Sequence, residues 1–226
     1  MADTSWLSTR RAILPLFALT ILGGCKIVST TDDTRRRNAH SKAFAAQRYV
    51  AEIWGSKARP YLEKRAVSLP ILVQQIDENI TRAGRAYGRQ ATQDGPWTFV
   101  AEGEGVVEDI QRQSREGRAI ITVDIPRSPS ISFAVQVGPV ISGNAVRDAL
   151  PFVTFDDFPD QIAFADVGHR LTEQALHDSV EQLSRLRIGE QVRFLGAFSI
   201  ANAHEPIVMT PIALESTNAP SSGRPT

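Results

Sequence analysis

The stretch Trp97-Thr98-Phe99-Val100-Ala101-Glu102-Gly103-Glu104-Gly105-Val106-Val107 decides the fold. Trp97, Phe99 and Ala101 recur every second residue, the period that sends one row of side chains to one face of a sheet. Gly103 and Gly105 then predict a bulge or sharp bend in a curved strand. Upstream of this stretch the apolar residues recur at helical spacing, so the chain changes its mode of folding here.

Downstream, Ser114-Arg115-Glu116-Gly117 reads as a turn into a second strand over 119–125, and residues 126–130 as a turn into a third over 131–137. A connector over 138–158 holds a helical turn around 144–150. Helical spacing returns over 160–186, with Ile162, Val167, Leu171, Val180 and Leu183 near one stripe. Gly189-Glu190 separates that helix from strand four, 191–198, and strand five, 207–214, follows Pro206. Three strands, a helix and two strands is the order of the OB-fold, a five-stranded Greek-key barrel with its helix between strands three and four. An α+β sandwich with an open sheet edge has the same order.

Residues 41–88 precede this unit. Phe44, Gln47, Val50 and Trp54 lie three or four apart, as one helix face demands, with Ser41 as N-cap. Pro60 interrupts the run. Ser68 is placed to cap a second helix that tolerates Pro70 in its first turn and buries Leu69, Leu72, Val73 and Ile76. Thr81 to Tyr87 predicts a short third helix before Gly88. The fold class expected is α+β: a small helical subdomain over 41–92, then an OB-like five-stranded barrel domain over 93–215, with a disordered tail over 216–226.

The amino-terminal residues give an address. Arg10 and Arg11 form a positive region, and Ile13 to Leu22 supplies a mostly apolar run of about ten residues, where a bilayer span needs about 20. Leu22-Gly23-Gly24-Cys25 closes the segment and resembles the bacterial lipobox, which makes 1–24 a lipoprotein signal peptide and Cys25 the acylated first residue of the mature chain. Export by the general or the twin-arginine route is left open by Arg10-Arg11. Residues 25–40, with few hydrophobics and the run Arg35-Arg36-Arg37, read as a flexible tether. Membrane lipid, reached through acylated Cys25, is the first partner expected, and the folded domain lies in the cell envelope outside the cytoplasm.

Composition narrows the function. The chain has 226 residues, with 25 basic and 25 acidic side chains. A protein that neutralises phosphates carries a basic excess, so nucleic acid is not expected as a partner. A single cysteine excludes a disulfide framework and a multi-thiolate zinc site. There is no Gly-x-Ser-x-Gly elbow, His-Glu-x-x-His helix or Gly-x-x-x-x-Gly-Lys loop. His169 and His177 are two helical turns apart, too far for adjacent-turn metal ligation. No catalytic residue, cofactor or metal is therefore expected.

The polar cluster that remains is Asn144, Arg147, Asp148, Asp156, Asp157 and Gln161, gathered before the long helix. On an OB-fold, loops and a strand face bind oligosaccharides or oligonucleotides, so these side chains are candidate contacts for a sugar-like ligand or a partner. They also have structural uses: Asp157 as cap of the following helix, Arg147 paired with Asp148 or Asp156, and Gln161 on loop backbone. Trp54 and Trp97 are expected as core anchors, with sugar stacking as the other use.

Gly138-Pro139-Val140-Ile141-Ser142-Gly143-Asn144-Ala145-Val146-Arg147-Asp148-Ala149-Leu150-Pro151-Phe152, with Phe155-Asp156-Asp157-Phe158 and Gln161-Ile162, resembles the signature of a predicted periplasmic lipoprotein family of unknown function. Trp54, Pro60-Tyr61, Tyr87-Gly88 and Gly103-Glu104-Gly105 fit its earlier pattern. The resemblance implies a lipid-anchored envelope protein with a helical and an OB-like part, in a family often encoded beside sugar ABC transporters. The function expected is a non-enzymatic accessory binding or adaptor module linked to ABC-type sugar uptake, with transporter components or a sugar-like ligand as partners. The alternative is a glycan-acting envelope enzyme using Asp148 with Asp156 or Asp157, which requires carboxyl groups about 5–9.5 Å apart across a cleft.

Overall fold

The computed structural model describes residues 46–125 and 128–217. The leader 1–24, Cys25 and the tether, the Ser41 cap, Phe44 and the tail from 218 onward lie outside the described residues.

Helix α1, Ala46–Ile53, turns Ala46 and Val50 inward, whereas Gln47, expected on the same stripe, faces solvent. A π-helical turn, Trp54–Ala58, links it to α2, Arg59–Arg65. The interruption expected at Pro60 takes this form for a physical reason. Proline has no N–H and its ring crowds the carbonyl one turn back, and a wider turn closed by Arg59 N–H on the Trp54 carbonyl carries the helical path past it.

Strands β1, Val67–Ser68, and β2, Arg89–Gln90, flank α3, Leu69–Tyr87. Pro70 sits in the first turn of α3, but the Ser68 side chain makes no capping bond. At Asn79 the backbone leaves helical geometry, and its Oδ1 accepts from the Arg82 N–H at 2.8 Å. Asn79 thus caps the third helical segment expected over Thr81–Tyr87.

The long strands are β3, Trp97–Gln111, β4, Arg118–Val123, β5, Ile131–Gln136, β6, Gln191–Ile200, and β7, Val208–Ser216. Antiparallel pairs join β3 to β4, β4 to β5, β7 to β6 and β6 to β3, and a parallel pair joins β5 to β7. The pairings run in a closed circuit, so these strands have no open sheet edge of the kind a sandwich leaves. β3 serves two neighbours by pairing with β6 along Trp97–Val106 and with β4 along Val106–Gln111. The register shift lies between Val107 and Asp109, beyond the two glycines. Their role is close approach: a Cβ on Gly103 would stand 2.8 Å from the Phe194 ring, and one on Gly105 2.6 Å from the Thr122 carbonyl oxygen.

Between the third and fourth long strands lie α4, Ala145–Asp148, a 3-10 turn, Phe155–Asp157, and α5, Gln161–Arg185. The buried stripe of α5 holds Val167, Leu171, Ala175, Ser179 and Leu183, while Ile162 and Val180, expected on it, are exposed. Two cores result. Phe99, Phe133, Phe194 and Phe198 fill the inner face of the sheet beneath Leu69, Leu72 and Ile76 of α3. Val100, Leu195, Ala197 and Ile212 point to the other face, against Val50, Trp54 and Leu62 and against Val146, Leu150 and Leu171. Ile212 reaches that second core because β7 bulges: Leu195 pairs with Ala213 and Gly196 with Pro211, which leaves Ile212 unpaired between them.

Candidate functional site

Of the connector candidates, Asn144, Arg147 and Asp148 are joined by bonds among themselves. The Arg147 guanidinium donates from Nε and Nη2 to Asp148 Oδ1, at 2.8 and 2.7 Å, and lies 4.0 Å over the Phe164 ring. Both side chains are largely buried, at 11% and 19% exposure. Arg89 Nη1 donates to the Asp148 carbonyl at 2.6 Å, tying β2 to α4. The Asn144 carbonyl accepts from the Asp148 N–H, and its Oδ1 fits over Gly168 of α5, where a Cβ would stand 2.7 Å away. Glycine at 168 is what lets α4 settle on α5.

Asp157 does not cap α5. Its Oδ2 accepts from the Thr154 N–H at 2.9 Å and from Thr154 Oγ1 at 2.8 Å, in a capping box around the 3-10 turn. The backbone and then the hydroxyl bond from Thr154 hold its carboxyl below the ordinary range. The cap of α5 is Asp160, whose Oδ1 accepts from the Ala163 N–H at 2.8 Å. Asp160 starts the helix because its acceptor faces the N–H three residues on, while Asp157 is held back by Thr154. Asp156 and Gln161 are exposed to solvent.

Of the carboxylates named for an acid–base pair, Asp148 is ion-paired with Arg147 and Asp157 is hydrogen-bonded to Thr154, while Asp156 is exposed. Trp54 is 6% exposed and its Nε1 donates to Asp178, so its ring is a core anchor rather than a stacking platform. Trp97 lies flat against Gly84 of α3. His169 faces Glu173 at 3.1 Å, and among the described residues no three His, Cys, Asp or Glu side chains are grouped to hold a metal ion.

Open space lies away from the connector acids. A cleft of about 790 Å³ separates α3 from the β4–β5 turn, lined by Ile71, Val73, Asp77, Glu78 and Ile131. A groove of about 820 Å³ follows the end of α5, beside Arg112, Arg185, Arg187 and Ile188. Arg112 is a residue that sequence reasoning missed: its Nη2 donates to the carbonyls of Leu183, at 3.1 Å, and Leu186, at 3.0 Å, closing the end of α5. Nothing local to Arg112 in the chain signals that contact.

Among the described residues no helix is long and apolar enough to cross a membrane. Comparison with solved structures matches an OB-fold protein from Thermotoga maritima at 21% identity and a TM-score of 0.62, covering 77% of this chain and 99% of that one. The likeness establishes the fold. Comparison with curated proteins gives no match. A family model described as predicted periplasmic lipoprotein (DUF2291) matches residues 16–215.

Proposed function

The chain belongs to the predicted periplasmic lipoprotein family DUF2291, and from that premise we propose that it is a non-enzymatic accessory or adaptor module, held to the membrane by acylated Cys25 and serving ABC-type sugar uptake. The observation that supports a binding role over chemistry is the closed connector. Asp148 and Asp157, two of the carboxylates named from sequence for acid–base work, are engaged by Arg147 and Thr154. The described helices and sheet share two continuous cores, which suits a rigid body that presents surfaces. The sugar-uptake part of the proposal comes from what the sequence resemblance implies about the family.

Two measurements test this reading. Mass spectrometry of the amino-terminal peptide finds a chain that begins at Cys25 and carries acyl groups; an intact leader on an unmodified thiol overturns the anchor. The lipoprotein, solubilised in mild detergent and purified, brings transporter components with it; repeated recovery alone overturns the adaptor role.

A further inference from the structure

Helix α3 is broken at the one Asn-x-Ser/Thr sequence of the chain. Asp77-Glu78-Asn79-Ile80-Thr81 joins an asparagine to a hydroxyl two positions on and to an acid two positions back. In an exported protein the asparagine and hydroxyl form the acceptor pattern for an N-linked glycan, and the bacterial form of the acceptor adds the acid. A pattern this short falls on buried and on regular segments too, so the surroundings of Asn79 decide its meaning.

The groups that a transferring enzyme must reach stand in the open. Asp77, Asn79 and Thr81 are all exposed. The Asn79 backbone is extended, with φ −169° and ψ 105°, in the middle of α3. In an unbroken helix the residues three and four positions away crowd the amide, and the break turns Asn79 out of that ladder. Its Oδ1 is used, accepting from the Arg82 N–H at 2.8 Å. Its Nδ2, the nitrogen that receives the sugar, makes no hydrogen bond among the described residues, and neither do the Asp77 carboxylate and the Thr81 hydroxyl. Glu78, between them, is held aside: its Oε1 accepts from Gln74 Nε2 at 3.2 Å and its Oε2 from Arg82 Nη2. Ile76 and Ala83 are buried on the two sides of the break. The helix is therefore anchored without Asn79, and a large substituent there displaces nothing from the core.

We propose that Asn79 is an N-glycosylation site. In the transfer, Nδ2 forms a bond to the anomeric carbon of an oligosaccharide carried on a polyprenyl diphosphate. The bond from that carbon to the diphosphate oxygen breaks, the polyprenyl diphosphate leaves with the electron pair, and the amide gives up one proton; nothing is oxidised or reduced. The glycan stands beside the cleft that Asp77 and Glu78 line. The proposal goes beyond the adaptor reading and takes from it only that the chain is exported.

The test uses the full chain isolated from the envelopes of its own cells. Trypsin releases residues 66–82 as one peptide, because no Lys or Arg lies between Arg65 and Arg82. Mass spectrometry finds this peptide heavier by an oligosaccharide, and electron-transfer fragmentation puts the added mass on residue 79. Thr81→Ala and Asp77→Ala, both at exposed side chains, lose the added mass while their circular dichroism matches the parent, and Thr81→Ser keeps it. A peptide 66–82 of unmodified mass overturns the proposal. So does added mass that fragmentation places on Thr81, or that persists in Thr81→Ala. The amino-terminal peptide of the same sample reports the anchor, so the anchored adaptor reading and the glycan fail separately.

Discussion

The Trp54 indole donates through Nε1 to Oδ2 of Asp178 across 2.8 Å, joining the π-helical turn to α5 from 124 positions away. Arg59 Nη1 donates to the same oxygen at 2.9 Å, and Gln174 Nε2 to the other at 3.1 Å. One carboxylate therefore anchors the amino-terminal helices on α5.

Asp178→Ala strands the N–H of a tryptophan that is 6% exposed, and the expected cost is about 2 kcal/mol. Trp54→Phe removes the same bond while keeping most of the ring. A double-mutant cycle in urea unfolding gives a coupling of about 1 kcal/mol between the two sites. Additive effects would show that the contact contributes nothing.

Two glycines predict opposite signs. In Gly84→Ala the new Cβ falls 2.1 Å from the Trp97 ring. Overpacking of about 1–3 kcal/mol then outweighs the gain of about 1 kcal/mol in helix propensity. Gly55→Ala meets nothing within 4 Å and stabilises by about 0.5 kcal/mol through the unfolded chain. Thermal midpoints should move in opposite directions.

Asp157 makes stability depend on acid. Its carboxyl is held below the ordinary range by the Thr154 backbone and hydroxyl bonds, so its contribution is full above the unfolded-state pKa, near 4, and disappears as pH falls through the lower folded value. Asp157→Asn is less stable than the parent at neutral pH, and the gap narrows as the solution is acidified below about pH 4. Thr154→Ala moves the Asp157 carboxyl back up, which a carbon-detected NMR titration reads directly.

Arg147→Met tests the connector as a joint. The substitution keeps contact with Phe164 but leaves Asp148 largely buried without its cation, at an expected cost of about 3 kcal/mol. Asp148→Asn in the same background restores part of that loss by removing the stranded charge. If Arg147→Met is neutral, the pair is not what closes the connector.

Much of the fold was legible in local period. Phe99 and Ala101 recur every second residue and Leu69, Leu72 and Ile76 every third or fourth, and each set is buried. Ile162 and Val180 fit the α5 stripe equally well yet are exposed, because no neighbouring element extends over them. The site was less legible. Asp156, Asp157 and Asp160 are all acids ahead of one helix, and choosing the cap depends on which oxygen faces the Ala163 N–H and which is already held by Thr154.

The order of the long strands and main helices, much of their apolar faces and the envelope address followed from the chain alone, since these depend on neighbours a few residues apart. The closed circuit of strands, the second core behind Val100 and Ile212, and the use of Asp178 and Arg112 as ties were decided only in three dimensions. Those features depend on groups that meet across many tens of residues, and no local period records which distant surface will cover a face or which distant donor will use a carboxylate.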